Sequence, residues 1–156
     1  MKRYNIIKSK TAGGVNYSVT LRWNSKPVEQ LVAKHGSLAA KLFADYVRDY
    51  AQHLMKNTPK TGRWYIGKSG RKYQASAPGE APAIDTGTLI NSLRTDAGTD
   101  EQGNPVGYIH MVGYGLILEF GLGKNIRPRP FIRPSIRSLT HEKAKEIIER
   151  LKSRTG

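Results

Sequence analysis

Residues 17 to 23 alternate in character. Tyr17, Val19, Leu21 and Trp23 fall on one side of an extended chain, with Ser18, Thr20 and Arg22 on the other. That two-residue period is the signature of a strand with one buried face. Ala12, Gly13 and Gly14 can reverse the chain just before it, so residues 3 to 8 are placed to pair with it as a hairpin.

From Pro27 the period lengthens. Val28, Leu31, Val32, Ala39, Leu42, Phe43, Tyr46, Val47, Tyr50 and Leu54 recur at three- and four-residue steps, an amphipathic helical stripe. Pro27 and Glu29 suit a helix start, Gly36-Ser37 is placed to split the stretch, and Pro59 ends it after about Asn57. Residues 58 to 88 are punctuated by Pro59, Gly62, Gly67, Gly70, Pro78, Gly79, Pro82 and Gly87. A loop of that length in a compact domain is functional or disordered. Within it, residues 63 to 66 and 71 to 74 flank Gly67-Lys68-Ser69-Gly70, which predicts a projecting basic hairpin arm in a mobile loop.

A short helical turn is expected over residues 86 to 93, and strands over 93 to 98 and 106 to 112 joined by a turn at 100 to 105. Residues 114 to 120 are too few for periodicity to decide. Beyond Arg127-Pro128-Arg129-Pro130 one last helix is expected from Phe131 or Pro134 to about residue 154, with Ile132, Ile136, Leu139, Ala144, Ile147, Ile148 and Leu151 as its apolar face. The sum is a single α+β domain spanning residues 1 to 156: a small antiparallel sheet packed against a long helix and a C-terminal helix, with a long basic hairpin loop. Its expected parts are an N-terminal strand segment (1 to 26), a helical segment (27 to 57), the mobile loop (58 to 88), strands and a Glu119-Phe120-Gly121 turn (89 to 130), and the closing helix (131 to 154).

Charge sharpens this picture. The 156 residues carry 26 Lys plus Arg against 12 Asp plus Glu, a formal net charge of +14, and the excess is segregated. Residues 1 to 26 contain no acid; Lys60, Arg63, Lys68, Arg71 and Lys72 face only Glu80; Lys124, Arg127, Arg129, Arg133 and Arg137 face only Glu119. Residues 84 to 105 are net acidic through Asp85, Asp96, Asp100 and Glu101. Such segregation suits a polyanion or an acidic protein surface.

Other classes are excluded or disfavoured. The chain has no cysteine, hence no disulfide framework, thiolate nucleophile or thiolate metal site. No apolar run is long enough for a membrane helix, and the first ten residues lack the apolar core of a signal peptide, so a cytoplasmic origin is the expectation. Residues 62 to 69 match the phosphate-binding pattern G-x-x-x-x-G-K-[ST], but no strand precedes them and no helix is expected after them, so the match is read as chance. His35, His53, His110 and His141 have no metal-ligand spacing, Ser92 lacks a nucleophile elbow, and Glu142, Glu146 and Glu149 alternate with Lys143, Lys145 and Arg150 as a solvated face. No catalytic residue, cofactor or metal is expected. Trp64, Tyr65 and Tyr73 among Arg63, Lys68, Arg71 and Lys72 are suited to gripping nucleic acid or packing on a neighbouring subunit, and the second reading is preferred.

Two segments carry a resemblance. Ala77-Pro78-Gly79, Pro82, Asp85-Thr86-Gly87-Thr88-Leu89 and Ser92 form one block; Tyr114, Glu119-Phe120-Gly121 and Arg129-Pro130-Phe131, closing on Pro134, form the other. In that order and spacing they resemble the tail-completion, head-tail joining or minor tail proteins of lambda-like long-tailed bacteriophages, over about residues 28 to 150. Ser135, where Ala is common, and residues 1 to 26 depart from the pattern. The resemblance implies a non-enzymatic virion protein assembled in the host cytoplasm, with copies forming a ring, expected to be a hexamer, at the neck or head-proximal end of the tail around the DNA channel. Its implied neighbours are a connector or head-completion protein and a tail terminator or tube protein, with non-specific DNA contact possible in the channel and no membrane. A basic nucleic-acid-binding monomer or dimer is the alternative, and a nucleotide hydrolase using residues 62 to 69 a third.

On this reading Arg63, Trp64, Tyr65, Lys68, Arg71, Lys72, Tyr73, Glu119, Arg127, Arg129 and Arg133 belong to a subunit or partner interface. Gly87, Phe120, Gly121, Pro130, Phe131 and Pro134 are structural. Gly121 and Gly123 permit positive φ, Pro128, Pro130 and Pro134 stiffen the chain, Phe131 plugs the core, and Glu119 pairs with a cation.

Overall fold

The structure, a computed structural model, describes residues 5–11, 14–21, 23 and 26–155. Strands β1 (Asn5–Thr11) and β2 (Gly14–Leu21) pair antiparallel, and helix α1 (Lys26–Asn57) follows. A separate small hairpin, β3 (Trp64–Ile66) and β4 (Lys72–Gln74), precedes helix α2 (Thr88–Ser92). Strands β5 (Arg94–Thr99) and β6 (Pro105–Val112) lead into helices α3 (Gly113–Phe120), α4 (Ile132–Ser138) and α5 (His141–Thr155). The main sheet is antiparallel in the order β1-β2-β6-β5, so the fold is α+β, a small antiparallel sheet packed by a long helix and C-terminal helices.

Register sets the buried face. Val19 lies opposite Ile109 and Leu21 opposite Gly107 across β2 and β6, while Thr95 and Ala97 of β5 oppose the same two residues. Helix α1 covers this face with Val28, Val32, Ala39, Ala40, Phe43, Ala44, Val47, Ala51 and Met55. The stripe is rich in alanine because the backbones approach closely: a Cβ at Gly107 would stand 2.8 Å from the Ala40 carbonyl oxygen and 3.1 Å from the Ala44 Cβ. Trp23 meets Phe43 edge to face, with ring centroids 5.4 Å apart. Along the β5 edge the packing turns polar: Lys41 Nζ donates to the Thr95 hydroxyl at 2.8 Å and to Asp45 at 2.6 Å, and the Thr95 hydroxyl donates to Asp45.

Helix α1 breaks at Gly36, whose φ of 68° and ψ of −155° lie outside helical space and favour glycine. At its far end the Thr58 hydroxyl and N–H both return to the Leu54 carbonyl.

Two expectations are corrected. Residues 114 to 120, undecided from the sequence and with Glu119-Phe120-Gly121 expected as a turn, lie in the helix α3. It stops because Gly121 adopts φ 68° and returns its N–H to the Ile117 carbonyl at 2.8 Å. The single C-terminal helix is two helices. The apolar steps Ile132, Ile136, Leu139 run regularly, then jump five residues to Ala144, and the chain breaks in that jump. Thr140 restarts it, its hydroxyl accepting from Lys143 N at 3.2 Å as an N-cap.

Adding a methyl group at Gly107 pushes against backbone, which cannot yield as a side chain does. Gly107→Ala is expected to cost about 1 to 3 kcal/mol in chemical denaturation. An unchanged midpoint and slope would show that α1 does not press on β6 at this position.

Candidate functional site

The two blocks that carry the sequence resemblance fold against one another, and one carboxylate organises the second. Glu119, at the end of α3, is fully buried. Its Oε2 accepts from the N–H of Phe131 at 2.7 Å and of Ile132 at 2.8 Å, and its Oε1 accepts from the N–H and Nε of Arg133, each at 2.9 Å. Helix α4 has no side-chain cap of its own. Glu119 therefore serves the orphan N–H groups that a local Ser or Asp would otherwise satisfy, and the carboxylate meets the positive end of the helix. The Arg133 guanidinium also donates to the Glu119 carbonyl and lies over the Phe120 ring at 5.1 Å. Phe131 and Ile132, held by these bonds, insert into the core.

The loop between Glu119 and Arg133 is closed by contacts too tight for other side chains. A Cβ on Gly121 would come within 2.6 Å of Pro128 Cδ and 2.9 Å of the Ile126 carbonyl oxygen. Arg129 N donates to the Leu118 carbonyl at 2.6 Å. This loop in turn holds the first block: Gly79 N donates to the Pro128 carbonyl at 2.9 Å, and Arg129 Nε donates to the Ser76 carbonyl at 3.2 Å.

Glu80 staples the base of the hairpin. Its Oε1 accepts from the Thr61 hydroxyl at 2.5 Å, and its Oε2 accepts from Thr61 N at 3.0 Å and Ala77 N at 2.8 Å. The Thr61 hydroxyl first, and then the Ala77 and Thr61 N–H groups, hold this carboxyl below its ordinary value. Burial pushes the neighbouring Lys60 ammonium down, opposed by Glu80. Gly62 and Gly67 sit at the two ends of β3 in close contact: a Cβ on Gly62 would stand 2.5 Å from the Ala75 carbonyl oxygen, and one on Gly67 would collide with the Asp85 carboxylate. These are the two glycines of the phosphate-loop pattern. Residues 62 to 69 form a strand and a turn, with no helix starting at Lys68, so the geometry that the pattern needs is not built here.

The hairpin so anchored presents Trp64, Tyr65 and Ile66 to solvent, 58%, 50% and 78% exposed. Arg63, Lys68, Arg71 and Lys72 are exposed around them and Tyr73 is half-buried. Lys72 Nζ lies 5.2 Å from the centre of the Trp64 ring, and Tyr73 flanks Tyr65 with centroids 6.1 Å apart. A cleft of about 440 Å³ separates the hairpin from the α2 segment; Lys68, Asp85, Thr88 and Tyr114 are among its walls. Burial raises the Tyr114 phenol, offset in part by hydrogen bonding with the Leu89 backbone and the Thr88 side chain.

The proposed interface thus divides. Arg63, Trp64, Tyr65, Lys68, Arg71, Lys72 and Arg127 are on the surface. Glu119 is not an interface residue, because its carboxylate is wholly occupied inside the fold. Arg129 and Arg133, expected to face a partner, instead spend their guanidinium groups on Ser76, Arg127 and Glu119. Of the structural residues, Gly87 adopts φ 80° ahead of α2, Gly121 ends α3, Phe131 is fully buried, and Phe120, Pro130 and Pro134 are half-buried around the clasp. Glu80 was missed, although it is the lone acid of a basic segment and so the natural partner for that segment's donors.

Among the described residues no group of three or more His, Asp or Glu side chains is placed to hold a metal, and no helix is long and apolar enough to cross a membrane. Protein-family models, curated proteins and solved structures contain no match to this chain.

The clasp makes a graded prediction for thermal or chemical unfolding. Glu119→Ala leaves the N–H groups of Phe131, Ile132 and Arg133 and the Arg133 Nε without their carboxylate acceptor and is expected to cost ~3 to 5 kcal/mol. Phe131→Ala should cost a similar ~3 to 5 kcal/mol through its cavity. Arg133→Ala removes the guanidinium's hydrogen bonds to the Glu119 carboxylate and to the Glu119 carbonyl and should cost at least ~1.5 to 3 kcal/mol. Arg133→Ala melting like the parent protein would refute the internal role given to this arginine.

The Glu80 staple makes a second prediction. A carboxyl whose folded pKa is depressed contributes stability that is present above its unfolded value and is lost as pH falls through the folded one. The Thr61 and Ala77 amides should therefore keep their protection factors at neutral pH and lose them well below pH 4.5. In Glu80→Gln the same amides should already be weakly protected at pH 7, and equal protection in both proteins would rule the staple out.

Proposed function

We propose that this chain is a structural subunit of a long-tailed bacteriophage neck, a tail-completion or head-tail joining protein whose copies form a ring, a hexamer, around the DNA channel. The observation that carries the reading is the joining of the two resembling blocks. The Ala77-Pro78-Gly79 turn and the Arg129-Pro130-Phe131 segment are bonded through Gly79 to Pro128 and Arg129 to Ser76, and the second block is locked by Glu119. Residues far apart in sequence thus have one shared purpose, a rigid base beneath an exposed hairpin.

A rigid base with an exposed aromatic and cationic tip is the composition of a docking element, since Trp, Tyr and Arg dominate interface energetics. Base stacking on nucleic acid would need open ring faces. Lys72 covers one face of Trp64, and Tyr73 lies beside Tyr65, which favours a protein partner. The net charge of +14 suits the lining of a DNA channel as a secondary, sequence-independent contact.

The test is made in the phage or prophage that carries the gene. Its deletion should leave filled heads and finished tails that fail to join, and the protein should be found in purified particles. Trp64→Ser with Ile66→Ser, both exposed, should leave melting unchanged and weaken assembly by about tenfold or more per side chain. Infectious, fully joined particles from the deletion strain would refute the proposal.

A further inference from the structure

We propose that the outer edge of the β3–β4 hairpin is completed in a complex by a third strand, an acidic extended segment of another protein whose apolar side chains alternate. The register sets the direction of that edge. Gly67 N donates to the Arg71 carbonyl and Ala75 N to the Arg63 carbonyl, each at 2.9 Å, which makes 67 with 71, 65 with 73 and 63 with 75 the bonded pairs. The N–H and C=O groups of Trp64 and Ile66 therefore point away from β4. Strand β4 is the inner one, half-buried at Tyr73 and Gln74, whereas all three residues of β3 are exposed.

An apolar edge left open is a template for another strand, and proteins usually blunt one with a charge, a proline or a cap. At β5, an outer strand of the main sheet, the Asp96 carboxylate takes up the Ala97 N–H at 2.8 Å. Strand β3 is Trp64, Tyr65 and Ile66, with neither charge nor proline. A two-stranded hairpin is also marginal by itself, so a third strand adds order as well as contact. Main-chain bonds to Trp64 and Ile66 give such a contact its affinity, and the side chains beside them give it selectivity. Trp64 and Ile66 share one side of the strand and offer exposed apolar partners to a strand laid alongside. Residues 63 to 79 contain no acid, and Arg63, Lys68, Arg71 and Lys72 are exposed around β3, which selects a negatively charged segment. This chain does not supply it. Residues 5 to 21, which hold its first two strands, contain no acid, and its acid-bearing strand β5 is bonded to β6 on one side and capped by Asp96. The partner is therefore a different protein. This contact rests on the docking role proposed above for the hairpin, and not on the closure of a ring.

The probe is a peptide of about eight residues alternating glutamate and valine, added at up to about 1 mM to the full-length chain, with amide exchange and chemical shifts followed by NMR. In the free protein the Trp64 and Ile66 amides should exchange quickly and the Tyr65 amide, bonded to β4, slowly. Bound peptide should slow Trp64 and Ile66 by about tenfold or more and leave Tyr65 nearly unchanged. Replacing glutamate by lysine in the peptide, or methylating its backbone nitrogens, should weaken binding by about tenfold or more. On the protein, Ile66→Pro removes one outward donor without touching the bonds to β4. It should weaken binding about three- to tenfold, while Ile66→Val, which keeps the donor, binds like the parent.

No binding of the glutamate-valine peptide, equal binding of the methylated one, or shifts that spare Trp64 and Ile66 overturns the proposal. So does protection of these two amides that grows with protein concentration in the absence of peptide, which would assign the edge to a second copy. Salt-steep binding of duplex DNA at these residues without peptide binding would assign it to nucleic acid and overturn the proposal equally. A peptide bound in this way by a protein absent from purified particles would refute the neck function and keep the contact. A protein present in particles whose hairpin edge takes no peptide would do the reverse.

Discussion

The buried Glu119 carboxylate is the constraint on which the second half of the structure depends. An ionised group removed from water is tolerated only where hydrogen bonds replace its hydration, and here three backbone N–H groups and one guanidinium N–H do so. The same four bonds begin α4 and fix its distance from the end of α3. Phe131 and Ile132 reach the core because their N–H groups are held, and Gly121 can turn under Pro128 because nothing projects from it. The intervening residues 122 to 128 are largely exposed, yet both ends of that loop are pinned.

Rigidity passes from this clasp outward. Arg129 and Pro128 hold the Ser76 and Gly79 carbonyl and amide, Glu80 then holds Thr61 and Ala77, and the hairpin stands on that base. Ordering the base in advance lowers the entropy that a partner would have to overcome on binding, which is how a small exposed hairpin becomes useful for docking. Two acids, each isolated among cations in the sequence, thus perform the same task at two levels.

Local periodicity made much of the fold legible. The apolar stripe of α1 with its break at Gly36 and the turn at residues 67 to 70 are short-range patterns that appear where the pattern puts them, whereas in the alternating strand Val19 and Leu21 are buried as expected but Thr20, placed on the polar face, is buried with them. The eight residues of α3 make only about two turns, too few for a period to show against a nearly continuous apolar run. The split of the last helix was written in the five-residue step from Leu139 to Ala144 and in Thr140, a weaker mark than a proline. What the sequence by itself determined is therefore the element order as far as β6, the segregation of charge and the exposed chemistry of residues 63 to 72. Only the tertiary structure decided that Glu119, Arg129 and Arg133 work inside the molecule. Apart from the Arg127 carbonyl beside Arg129, their partners lie 12 to 53 positions away, and a charged side chain among other charges reads as surface until the fold brings its donors and acceptors to it.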